Sequence, residues 1–192
     1  KVYSAAVTGI YAVPVEVQAD VAPGIPYFEL TGNLAGTTKE AKERVRIAIK
    51  NSKFQINPSK ITINMIPANI RKEGTSYDLA VAVAVLTAVG VISAKKVSGA
   101  LFIGELGLDG GICNVSSILP MTLCARDNGF TICYVPMGNV GEASLVTGIR
   151  VIGISSLREC VDYINNGCNC RAHIDNNIDN TDDNNIDFAD IR

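Results

Sequence analysis

The 192-residue chain has a single histidine, His173, placed close to its end, so a Ser–His pair inside the body of the protein is not expected. It lacks the pattern G-x-x-x-x-G-K-[ST], and with it the backbone cradle and lysine that hold nucleotide phosphates. No apolar run approaches the ~18 residues of a membrane span; Leu79 to Ile92 is too short and reads as a buried helix. The opening KVYSAAVTGI has one basic residue and no long apolar segment with a cleavage site, so it does not read as a secretory signal. The expectation is a cytoplasmic protein with no membrane partner. Without a signal, the 6 cysteines read as thiols in a reducing compartment. Cys113, Cys124, Cys133 and Cys160 lie singly among apolar residues and are expected as small buried thiols.

Hydrophobic residues make up 47% of the chain, enough for one good core. The net charge of -2 divides unevenly: residues 1–164 are slightly basic, whereas residues 165–192 are acidic. Residues 165–187 are rich in Asn and Asp and poor in apolar side chains, which predicts a flexible linker. Cys168, Cys170 and His173 offer three ligands, with Asp175 as an incidental fourth, but their C-x-C-x-x-H spacing is not that of a closed zinc site. Asp175, Asn177 and Asp179 imitate the start of a calcium loop, which fails at Asn180 and Ile186. No metal site is expected.

Hydropathy patterning organises the body. Val2 to Gly9, Ala12 to Val21 and Tyr27 to Thr31 are alternating and β-branched, which predicts an antiparallel start. Ala41, Val45, Ala48 and Ile49 then share one helical face, with Thr37 or Thr38 as the cap. Ile61 to Met65 reads as a strand, and Asp78 to Val89 as a helix apolar on nearly every side and therefore central. Ala100 to Leu106, Thr131 to Val135 and Arg150 to Ile154 read as strands; Ser116 to Asp127, Val140 to Val146 and Leu157 to Asn165 read as helices. Asp109-Gly110 supplies the turn of a tight hairpin. The fold class is α/β, a mixed sheet with packed helices.

Two segments carry the chemistry. Arg71 to Leu86 reads RKEGTSYDLAVAVAVL and Gly104 to Gly110 reads GELGLDG. With Val2-Tyr3-Ser4-Ala5-Ala6, Ala12-Val13-Pro14-Val15-Glu16-Val17, Ala48-Ile49-Lys50-Asn51-Ser52 and Ile118-Leu119-Pro120 in the same order, the chain resembles the amino-terminal domain of the ComM/YifB family of magnesium-chelatase-like AAA+ proteins. That domain is in turn similar to the proteolytic domain of Lon. The resemblance implies a ribosomal protein S5 domain 2-like fold for residues 1–164. It also makes residues 188–192, Phe188 to Arg192, similar to the opening of an AAA+ module whose motor lies beyond them.

Against Lon-like proteases, Lys72-Glu73-Gly74-Thr75-Ser76 places Ser76 at the nucleophile's position, while spacing from Gly104 places Leu119 where the partner lysine stands. A serine hydroxyl needs such a partner to accept its proton, and leucine has no group to do so. Lys72, the nearest substitute, precedes Ser76 by four residues on a different element. Ser76 is therefore expected as a vestigial nucleophile serving a helix cap or turn, with no catalytic residue; the alternative is a Lon-type serine peptidase. Lys39, Lys42, Arg46 and Lys50, with Lys53, Lys60, Arg71 and Lys72 near them, offer a face for a phosphate backbone. Gly32 to Lys39 is a near miss to a phosphate loop that could hold an anion. By resemblance, this is a non-catalytic accessory domain that aids ring assembly or DNA positioning. The parent would be a hexameric ATPase for DNA branch migration in natural transformation, with ATP and Mg2+ bound in its AAA+ module and no cofactor here.

Overall fold

The computed structural model describes residues 1–167 and the strand His173–Ile174. In chain order the elements are β1 (Val2–Thr8), β2 (Tyr11–Pro23), β3 (Tyr27–Thr31), α1 (Gly36–Lys39), α2 (Ala41–Asn51), β4 (Ser59–Ile66) and α3 (Asp78–Ala88). They continue with β5 (Ala100–Phe102), β6 (Glu105–Leu106), β7 (Ile112–Cys113), α4 (Ile118–Asp127), β8 (Ile132–Pro136), α5 (Val140–Ala143), β9 (Arg150–Ile154), α6 (Leu157–Asn166) and β10 (His173–Ile174). The main sheet runs β10-β9-β8-β5-β1-β2-β4-β3, and β6 and β7 form a separate antiparallel ribbon. β1 pairs antiparallel with β2 but parallel with β5, and β5, β8 and β9 continue in parallel, so the sheet is mixed.

β2 joins the halves of the sheet. Its first part pairs with β1, from Thr8 opposite Tyr11 to Val2 opposite Val17, and its second part pairs with β4, from Glu16 opposite Ile66 to Pro23 opposite Ser59. Side chains alternate across a strand, and this alternation sorts the core into two layers. Val2, Ala6, Phe102, Tyr134 and Ile152 face a layer closed by α2, α3 and α6, whereas Ala5, Leu101, Cys133 and Val151 face one closed by α4 and α5. From Asp78 to Leu86 every residue of α3 is buried. α3 lies against the sheet with α2 and α6 over it, so from Asp78 to Leu86 no side of it meets water, which accounts for its lack of a polar face.

Several expectations are corrected. β3 follows the first hairpin in sequence but pairs in parallel with β4, which separates it from β2. The run 100–106 divides into β5 and β6, because the Gly104 N–H turns aside to the Ser76 carbonyl. The helix expected at 140–146 is only α5, preceded by a 3-10 turn at Met137–Asn139. Ser116 and Ser117 lie outside α4, Ser117 being left-handed at φ 61°. Thr38 caps nothing: it is buried, and its hydroxyl lies 3.0 Å from the carbonyl oxygens of both Lys72 and Gly74. Cys113 is exposed on the ribbon, unlike the buried Cys124, Cys133 and Cys160. α6 extends to Asn166, and within the stretch read as a linker His173–Ile174 pairs with β9. The tail candidates Cys168, Cys170, Asp175, Asn177 and Asp179, and residues 188–192, lie outside the described residues.

The start of α3 is anchored by charge. Asp78 has no exposure, and Arg44 of α2 grips it with Nε 2.7 Å from Oδ2 and an amino group 3.1 Å from Oδ1. The Leu106 N–H adds a third bond at 3.3 Å. Arg44→Met is expected to leave this carboxylate buried without its cation and to destabilise the protein by about 3 kcal/mol. Urea denaturation measures it, and a loss below about 1 kcal/mol would mean that the pair is not an anchor.

Candidate functional site

Chain crossings at the start of α3 create a polar groove of about 430 Å³. One wall is the 73–77 segment and the other is 114–117, with Val7, Glu105 and Met121 completing the lining. The first wall is held from behind. Ala35 N–H donates to Lys72 O at 2.9 Å, Lys72 N–H donates to Asn33 O at 3.0 Å, and the Thr38 hydroxyl straps the loop. In front, Gly104 N–H donates to Ser76 O and Leu79 N–H donates to Gly104 O, both at 3.0 Å. A Cβ at Gly104 would come within 2.9 Å of Ile112, so this close approach depends on glycine.

The second wall is set by a residue that the sequence reading passed over. Asn139 is buried, and its amide pairs with Val115 in both directions: Val115 N–H donates to Oδ1 at 2.9 Å, and Nδ2 donates to Val115 O at 3.0 Å. Ser117 then turns the chain into α4. An Asn in an apolar stretch was the only available signal for this clasp, and its partner lies 24 positions away.

Ser76 lines the groove and is only 8% exposed. It is not a helix cap, because Tyr77 holds the cap position and no side chain caps α3. Among the described residues no protein group hydrogen-bonds its hydroxyl. Neighbouring Thr75 donates its hydroxyl to Glu105, and Glu73 pairs with Arg71 at 3.0 Å. Leu119 lies outside the groove's lining; its side chain packs against the second core layer and its N–H donates to Glu142 at 3.3 Å. Burial pushes the Tyr77 phenol up to about 12.

Lys72 does not join the basic face. It is fully buried and its Nζ donates to the Pro67 carbonyl, an uncharged partner, so burial lowers its pKa below the usual lysine value. Lys39, Lys42, Arg46 and Lys50 are exposed on α1 and α2, with Arg46 also reaching Glu43 at 2.9 Å. In the glycine loop before them, a Cβ at Gly32 would fall 2.2 Å from the Met65 carbonyl oxygen, so this glycine serves close packing on β4. The Ala35 N–H that an anion would need is occupied by Lys72 O. Among the described residues, no three His, Cys, Asp or Glu side chains cluster as a metal site, and no helix is long and apolar enough to cross a membrane. Burial raises the Cys124 and Cys133 thiols to about 11 and about 12, so both remain protonated near neutrality.

Residues 17–139 match the family of subunit ChlI of Mg-chelatase. The chain belongs to this magnesium-chelatase-like family, in which it is related to ComM and YifB. It is 33% identical to competence protein ComM of Haemophilus influenzae, over 85% of this chain and 32% of that protein. With YifB of Escherichia coli it shares 36% identity over 77% of this chain and 29% of the relative. An uncharacterised Mycobacterium tuberculosis protein is 33% identical over 100% of this chain and 38% of its own length. The chain thus spans about a third of the curated relatives it matches.

The Lys72 site makes a pH prediction. Its folded pKa is lowered, so between that value and the unfolded value of 10.5 the unfolded chain holds more protons and stability rises with pH. Cys124 and Cys133 above pH 9 and Tyr77 above pH 10 act in the opposite sense, because their folded pKa values are raised. Urea unfolding from pH 7 to 10 is expected to show the stability of wild type rising with pH relative to that of Lys72→Met, in which the Tyr77 and cysteine contributions are the same. Equal slopes would show that the buried amine does not titrate with folding.

Proposed function

We propose that this chain is the non-catalytic accessory domain of a ComM-like AAA+ ATPase, with a ribosomal protein S5 domain 2-like fold over residues 1–164. It aids ring assembly or positions DNA, while the parent performs ATP-dependent branch migration during natural transformation. The observation that carries this reading is the isolation of the Ser76 hydroxyl. Lys72 directs its amine to Pro67 O, and Leu119 lies outside the groove, so among the described residues no base is paired with Ser76. In this reading ATP and Mg2+ belong to the AAA+ module, the parent is a cytoplasmic homo-hexamer, and the residues that follow α6, up to Asp187, link the two parts. The exposed cations of α1 and α2 are the surface for a nucleic-acid backbone, since phosphate contacts need accessible Lys and Arg.

Replacing Lys39, Lys42, Arg46 and Lys50 together by Gln is expected to weaken binding to single-stranded or branched DNA and to reduce the slope of log affinity against log salt by about 3. Fluorescence anisotropy across a salt series reads both. An unchanged slope would remove DNA contact at this face and leave ring assembly, which light scattering across protein concentration follows.

A Lon-type serine peptidase is the second reading, favoured by an open hydroxyl beside a groove. A serine-reactive phosphonate separates the two. We expect no stoichiometric labelling; labelling at Ser76, together with peptide turnover lost in Ser76→Ala, would establish the peptidase instead.

A further inference from the structure

We infer that Phe54 and Arg158, at the C-terminal end of α2, form a stacking platform for an unpaired base, so that the basic face takes DNA as a single strand. This deepens the DNA-contact reading and rests on it. Lys42, Arg46 and Lys50 recur every four residues and lie on the side of α2 away from the buried Ala41, Val45, Ala48 and Ile49. The stripe runs to Lys53, where the helix closes: Lys53 N–H donates to Lys50 O at 3.0 Å and Phe54 N–H to Ile49 O at 3.2 Å. Lys53 is left-handed at φ 64°, a place where glycine is usual, so this turn carries an exposed cation next to an aromatic residue.

The turn after β6 brings the platform together by reaching both helices. Asn51 Nδ2 donates to Leu108 O at 2.7 Å, and Leu157 N–H donates to Gly110 O at 2.9 Å, which sets the start of α6 beside the end of α2. Ser156 caps α6 by accepting from Glu159 N–H at 3.1 Å, fixing the first turn that carries Arg158. The Arg158 guanidinium carbon stands 5.1 Å from the centroid of the Phe54 ring, within cation–π range. Phe54 is half-buried against the core layer under α2, α3 and α6, whereas the Arg158 side chain is 55% exposed. Asp162 accepts from Arg158 Nε at 3.3 Å and orients it.

This combination suits an unpaired strand. Sites for single strands join a cationic track to planar side chains on which bases stack, and a base inside a duplex cannot reach such a plane. A guanidinium over a ring presents that surface, where a lysine would present a point charge. Lys50 and Lys53 flank the pair and supply cations for the phosphates. The Arg158 charge is offset by Asp162, so its contribution is read as stacking and not as counterion release. Asp109 in the bridging turn accepts from Gly111 N–H at 2.9 Å, and Glu159 accepts from Ser155 N–H at 2.7 Å.

The test uses this protein with a fluorescein-labelled twelve-nucleotide oligo-dT, an abasic strand with the same number of phosphates, and a duplex of the same length. Oligo-dT is expected to bind at least about fivefold more tightly than either of the others at low salt. Arg158→Lys keeps the charge and Phe54→Leu keeps an apolar side chain. Each should weaken oligo-dT at least about fivefold, change abasic-strand and duplex affinity by less than about twofold, and leave the salt slope unaltered. Arg158 is exposed, so its variant reads the platform even if Phe54→Leu loosens the fold. Oligo-dT bound no better than the abasic strand or the duplex, or unaffected by Arg158→Lys, overturns the platform. The face itself then stands if replacing Lys39, Lys42, Arg46 and Lys50 still lowers the salt slope. An equal loss on the abasic strand makes Arg158 a phosphate contact and also overturns the platform. Binding of none of the three at low salt overturns platform and face together.

Discussion

A carboxylate removed from water must be compensated where it stands, and at the first residue of α3 this requirement organises the domain. Asp78 binds the Arg44 guanidinium through both oxygens and also accepts from Leu106, so one buried group ties α2, α3 and the β6–β7 ribbon together. Burial raises the Asp78 carboxyl while Arg44 pulls against that rise, and the guanidinium is itself held more firmly protonated by Asp78. Such a pair adds less net stability than its Coulomb energy suggests, but losing either partner is costly. Its consequence here is positional: the chain just before Asp78 has one place to go, and Ser76 goes there.

Around that anchor, backbone pairing replaces side-chain chemistry. Residues 72–76 are fastened behind by Ala35 and Thr38 and in front by Gly104, leaving the Ser76 hydroxyl facing an open, polar space. Catalysis at a serine needs a base within hydrogen-bond reach. The amine nearest in sequence is instead buried and donates to the Pro67 carbonyl, a placement that lowers its pKa. The exposed Lys39, Lys42, Arg46 and Lys50 lie on α1 and α2 and do not line the groove. An acidic-lined groove and a basic helical face therefore divide the domain's surface between two chemistries.

Much of the architecture was legible in periodicity. Val45, Ala48 and Ile49 on one face of α2, the uniform apolarity of α3 and the alternation of β1 each specify what they must pack against, because burying apolar area dominates their free energy. The family resemblance was likewise written in local motifs, and the match over residues 17–139 agrees with it. Other features were not legible. Hydropathy alone could not show that β4 would insert between β2 and β3, because both positions bury the same alternating face. Short segments such as 116–117 and 144–146 read as helix, since nothing local records the left-handed turn at Ser117 or the end of α5 at Ala143.

By itself the sequence determined an α/β domain with a buried central helix and a tail of different composition, while the positions of Ser76 and Leu119 as nucleophile and missing partner are what the resemblance to Lon-like proteases implies. Only the tertiary structure decided that Lys72 turns inward, that Asn139 clasps Val115, that Arg44 meets Asp78, and that Ser76 is left open to a groove. The physical reason is range. Hydropathy repeats every two or every 3.6 residues and is visible in a short window, whereas these polar contacts join residues as much as 34 positions apart, and their satisfaction is settled only when the layers close.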